Sequence, residues 1–166
     1  MDEAIWHPLI TTARSEARAL LRCAMALQPR LTRTGIGLLN EEFKRAAIIE
    51  LELFEERIAL ESHVEAVAAC ADWIKLQRRV NTFAEQTSFK RKTNVETWFQ
   101  LRNGPPLGIS NGAFIAAALG LDIEGRIHRG GPNMLFKLVV GPANLIEWER
   151  ERVKDEPRAT KQATSE

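Results

Sequence analysis

Apolar residues recur at spacings of three and four through the first part of the chain, the period that lines one face of a helix. Ile10, Ala13, Ala17, Leu20, Leu21, Ala24 and Leu27 follow that spacing and predict a helix over residues 3–28, with Arg14, Arg18 and Arg22 stacked on another face. Pro8 suits its first turn and Pro29 stops it. The stretch to Leu39, with Gly35 and Gly37, reads as a loop.

Residues 40–86 hold no Gly and no Pro. Asn40 is a candidate N-cap, and Glu41 and Glu42 suit the positive end of a helix dipole. Three apolar stripes follow: Ala47, Leu51, Phe54 and Ile58; then Leu60, Val64, Val67, Ala71 and Ile74; then Trp73, Leu76, Val80 and Phe83. The phase shifts near Glu61, Ser62 and His63, which predicts either two helices with a break or one bent helix. Unbroken, it would be about 70 Å long, too long for a compact domain unless it paired with another chain.

After a polar connector over residues 87–93, residues 94–102 predict a short helix with Val95, Trp98 and Phe99 inward, ended by Gly104, Pro105 and Pro106. A second helix opens on a capping Ser110 or Asn111, buries Phe114, Ile115, Ala118 and Leu119, and closes at Gly120. The period then changes to two. Leu121, Ile123, Gly125 and Ile127 alternate, Arg129, Gly130, Gly131 and Pro132 turn the chain, and Met134, Phe136, Leu138 and Val140 alternate again: a β-hairpin. Residues 144–154 predict a last helix. The fold class expected is α+β and predominantly helical. An N-terminal helical bundle or long helical hairpin over residues 1–86 precedes a small helix–turn–helix-plus-hairpin module over residues 87–155 and a flexible tail over residues 156–166.

Length and composition narrow this further. At 166 residues, 45% hydrophobic and 27% charged, the chain is one domain or a small domain with an appendage. Its acidic opening and its interrupting arginines do not read as a signal peptide, and the longest apolar run, residues 113–121, is far short of a bilayer's needs. A soluble, cytoplasmic protein without membrane partners is the expectation. Cys23 and Cys70 stand alone among apolar residues and read as core thiols.

The net charge of +1 conceals a division. Residues 1–86 carry 11 basic and 13 acidic side chains, residues 87–140 carry 7 and 3, and residues 141–166 carry 5 and 6. The positive excess falls on the helix pair and hairpin, whose order resembles a winged helix. That resemblance is topological, covers about 47 residues, and implies a second helix in the major groove and a wing on the backbone. The residues that would serve are Lys90, Arg91 and Lys92 ahead of the pair, Ser110 and Asn111 at the start of the second helix, and Arg126, His128, Arg129 and Lys137 on the hairpin. The alanine run after Asn111 opposes it, because base edges are read by Arg, Lys, Asn or Gln.

Catalysis has little support. His7, His63 and His128 lie far apart, there is no metal-ligand spacing, and no Gly-rich phosphate loop stands before a helix. No catalytic residue, metal or cofactor is expected. The chain therefore reads as a non-enzymatic binding or regulatory protein. Its partner is either double-stranded DNA or another protein, the latter making it an adaptor or inhibitor of the kind mobile elements encode. Apolar stripes of differing phase suit a helix packed on two partners at once, so the long helical half makes a homodimer the expected assembly, with a self-contained bundle as the alternative. Of the four tryptophans, Trp148 has the most polar neighbours and is the candidate interface anchor.

Overall fold

The computed structural model describes residues 7–139. The expected last helix, the tail, Trp6 and Trp148 lie outside them.

Helix α1, Arg14–Leu27, keeps the middle of the predicted face, with Ala17, Leu21 and Ala24 buried, while Ala13 and Leu27 are exposed. It starts later than the periodicity suggests, because the preceding residues are claimed by a side chain far along the chain. The carboxylate of Asp72 accepts from Thr11 N (2.7 Å), Thr11 Oγ1 (2.7 Å), Thr12 N (2.9 Å) and Thr12 Oγ1 (2.7 Å). Those amides are thereby satisfied outside a helix, and two β-branched threonines suit that extended arrangement. Strands β1 (Leu31–Thr32) and β2 (Gly35–Ile36) form a small antiparallel hairpin where a loop was expected. A 3-10 turn, Glu41–Phe43, leads to helix α2, Ala46–Glu61.

The break near Ser62 and His63 is present and the chain takes two helices, but the second stops at Lys75, so the third expected stripe, Trp73, Leu76, Val80 and Phe83, is not a helix face. Helix α3, Val64–Lys75, is buried from Ala66 to Ile74. Strand β3, Arg78–Arg79, follows. Helix α4, Ser88–Leu101, absorbs most of the expected connector. Thr87 adopts the extended conformation of an N-cap, Ser88 Oγ accepts from Met134 N (3.0 Å), and the Lys- and Arg-containing segment has no breaker to oppose a helix. Helix α5, Asn111–Gly120, begins as predicted on Ser110, whose side chain accepts from Ala113 N (3.1 Å).

Strands β4 (Gly125–Ile127) and β5 (Met134–Phe136) pair antiparallel as the expected hairpin. The alternation read into β5 is not its burial pattern: Met134, Leu135 and Phe136 are all buried. The next strand, β6 (Leu138–Val139), leaves the hairpin and pairs antiparallel with β3.

The chain is thus α+β and mainly helical. Helices α1, α3 and α4 pack around α5, so elements on both sides of residue 86 share one hydrophobic core. Helix α5 is buried from Asn111 to Ala118. The winged-helix resemblance implies a helix laid in a groove; here residues 111–118 of that helix pack into the chain's own core. Gly112 and Gly120 allow that burial: a Cβ on Gly112 would meet Thr32 O at 1.9 Å, and one on Gly120 would meet Leu20 O at 2.7 Å. Among the described residues no helix is long and apolar enough to cross a membrane.

Asp72 joins the segment before α1 to α3, so Asp72→Ala is expected to lower the unfolding free energy by about 3 kcal/mol, the scale for stripping partners from a buried set of charge-assisted hydrogen bonds. A urea titration followed by circular dichroism measures it, and the variant's helical content at zero urea should match the parent's.

Candidate functional site

The expected nucleic-acid residues divide sharply. Arg91, on the first turn of α4, is fully buried, and this corrects its assignment as a phosphate contact. Its Nε donates to Gln86 O (3.2 Å) and its Nη2 to Leu138 O (2.7 Å), while Nη1 has no partner. Burial lowers its pKa to about 10, which still leaves it protonated at neutral pH. It acts as a strut between the start of α4 and β6. Asn111 is corrected likewise. Its buried Nδ2 donates to Thr34 O (3.0 Å), Pro132 O (3.2 Å) and Asn133 Oδ1 (3.1 Å), so the amide clamps the β1–β2 turn and the β4–β5 turn onto α5. The Ser110 hydroxyl caps α5.

The hairpin cations are more accessible. Arg126 lies over the Phe83 ring at 4.5 Å and Lys137 lies 5.2 Å from the same ring, so these two converge. Lys137 is also paired with Glu124 at 2.6 Å. Lys92 is paired with Glu96 at 3.3 Å and sits 5.0 Å above Phe89. Lys90 and Arg129 are exposed and His128 half-buried. Two of the basic residues therefore already have carboxylate partners, one is internal, and α5, the second helix of the expected pair, carries no Lys or Arg.

A cleft of about 600 Å³ opens beside the N-terminus of α5. Its walls include Arg33, His63, Lys92, Glu96, Asn111 and Asn133. The volume suits a small ligand, yet its cations are matched: Arg33 Nη2 meets Glu56 at 3.2 Å and Lys92 meets Glu96. His63 Nδ1 and Asn111 Oδ1 lack partners but are both shut off from solvent. Burial lowers the His63 pKa, the nearby Arg33 lowers it further, and Glu56 opposes both. Cys70 is fully buried and burial pushes its thiol pKa up, so it stays a thiol; Cys23, expected in the core, is exposed. Among the described residues no cluster of three metal-capable side chains is present.

The largest departure from a globular surface is on α2. Only Leu60 of that helix is buried. The stripe Ala47, Leu51, Phe54 and Ile58 faces solvent, with Leu51, Phe54 and Ile58 exposed to 58%, 62% and 52%. Phe43, just before the helix, is exposed to 83%. Helical spacing in the sequence identifies this stripe; its lack of a partner within the chain is visible only in the fold. No protein-family profile, curated protein or solved structure matches the chain.

Because the His63 pKa is lowered in the folded chain, the unfolded chain binds the extra proton first. The stabilising effect of neutral His63 is complete above the unfolded pKa of about 6.5 and is lost as pH falls through the lower folded value. Urea midpoints measured at falling pH should therefore decline less in His63→Gln than in the parent. For Arg91, the substitution Arg91→Lys keeps a cation but loses the fork, and an unfolding free energy lower by about 2 kcal/mol is expected in urea.

Proposed function

We propose that this chain is a non-enzymatic binding protein that works by protein–protein contact. Its contact surface is the outward face of α2, and the occupant is an amphipathic helix of another protein molecule. The observation that carries this reading is the exposed run of Leu51, Phe54 and Ile58 on one side of a helix whose other side is used by the chain itself. Contiguous exposed apolar surface is uncommon on a monomeric protein and marks interaction sites. A facing helix is the complementary shape for a stripe at alternating spacings of four and three.

The burial of α5 argues against groove reading. The winged-helix resemblance is kept only as the order α4, α5, β4, β5, used here to build a core. Duplex DNA bound through Lys90, Arg126 and Arg129 is the competing outcome.

A photo-crosslinking residue placed at Phe54, with Glu85 as an exposed control site, tests the reading in cells. An adduct whose sequenced peptide is a protein helix, formed at 54 and not at 85 and lost in Leu51→Glu, is the expected result, together with no shift of random duplex DNA at low salt. The reading is overturned if no protein adduct forms at 54. It is also overturned by a salt-sensitive DNA shift that weakens in Arg126→Ala and Arg129→Ala and ignores Leu51→Glu.

A further inference from the structure

The occupant of the α2 face can be identified from the distribution of charge around its stripe; the inference rests on the protein-contact reading above. Helix α2 has two apolar sides. On the body side, where it packs on β1, Leu60 is buried and Ile49 and Leu53 are half-buried. Arg33 holds this side through Glu56, with Nε and Nη2 at 3.3 and 3.2 Å. On the opposite side Ala47, Leu51, Phe54 and Ile58 step by four, three and four residues, the seam of a two-helix pairing. The helix has 16 residues and is about 24 Å long, so the stripe runs over most of it.

Charges at the two ends of α2 oppose its own dipole. Lys44 and Arg45 stand at its N-terminal end, Glu61 closes its C-terminal end, its first turn holds no acid and its last turn no base. A helix dipole favours the reverse. An antiparallel neighbour of the same sequence corrects this, because it brings Lys44 and Arg45 of one copy beside Glu61 and the negative helix end of the other. With the two-fold axis midway between Leu51 and Phe54, Leu51 faces Phe54 of the second copy. Ala47 then faces Ile58, a small residue against a large one. On the flank of that seam Glu50 falls beside Arg57 of the second copy, and the pair recurs by symmetry.

Parallel pairing fails the same inspection. It sets Glu50 beside Glu55, and like ends of the two helices together. The side chains concerned are available: Glu50 and Glu55 are exposed, and Arg57, whose Nη1 donates to Pro29 O, keeps further donors. Lys44, paired with Glu52 in the single chain, exchanges one carboxylate for another.

We infer that the α2 face is occupied by α2 of a second copy of this chain, packed antiparallel about a two-fold axis between Leu51 and Phe54. Sedimentation of the full chain should show a reversible dimer. Leu51→Glu should yield a monomer with unchanged circular dichroism. Glu50→Arg, which sets like charges together, should weaken the dimer about tenfold, and Glu50→Arg combined with Arg57→Glu should recover it. Orientation is read by disulfide trapping in a Cys23→Ser background. A mixture of Ala47→Cys and Ile58→Cys chains should cross-link as the mixed pair and not as 47–47 or 58–58. A chain that stays monomeric up to about 0.5 mM, the weak end for a small interface, overturns the inference, as do like-with-like disulfides. A monomer that still forms the Phe54 adduct with a different protein overturns the second copy alone and leaves the protein-contact reading standing.

Discussion

The close approach of α5 to its neighbours is the constraint on which the rest of this structure depends. Gly112 and Gly120 let backbone from the β1–β2 turn and from α1 come within a distance that any side chain would block. Ala113, Ala116, Ala117 and Ala118 continue the same narrow surface, and all are buried. The volume is filled by a few large residues. Trp73 on α3 and Phe136 on β5 both stand edge-on to Phe114, each with ring centroids 6.0 Å away. Close packing of this kind leaves little tolerance for added volume and makes the core a single unit. It also commits most of α5 to the interior, leaving only its N-terminal end at the edge of a cleft and Leu119 and Gly120 partly exposed.

The polar groups that enter this core are used as ties. Asp72 gathers Thr11 and Thr12 against α3, Arg91 holds the carbonyls of Gln86 and Leu138, and Asn111 holds those of Thr34 and Pro132. Each reaches at least one backbone group far along the chain and helps to satisfy it. Arg91 and Asn111 each use their polar groups as internal ties of this kind. The basic excess of the middle segment is smaller at the surface than in the sequence by one charge, because Arg91 is internal; Lys92 and Lys137 face carboxylates of the same segment, Glu96 and Glu124, which the excess already counts.

Helix α2 stands apart from this economy of space. One side meets β1 and the salt bridge from Arg33; the other carries leucine, phenylalanine and isoleucine into solvent. Burying that side stabilises an assembly by the same hydrophobic term that stabilises the core. In the proposed dimer, the charges at its ends and flanks set the antiparallel direction. In the antiparallel dimer we propose, the stripe supplies affinity, and Glu50, Arg57 and the helix ends supply specificity.

Local chemistry made much of the architecture legible in the chain itself. The break at Ser62 and His63, the cap at Ser110, the stop at Gly104 and the turn at residues 129–132 depend on neighbours in sequence, and they stand where the sequence puts them. The stripe at Ala47, Leu51, Phe54 and Ile58 was legible as well, since helical period alone aligns those residues. Long-range competition decided the rest. Asp72 delayed α1 by taking amides 60 and 61 residues away, Arg91 reached a carbonyl 47 residues on, and β6 found β3 instead of extending the hairpin. Periodicity shows that a face is apolar but not what covers it. Only the tertiary structure showed that α5 is buried over most of its length and that the outer face of α2 is left open, because burial belongs to the packing of distant segments and not to any one of them.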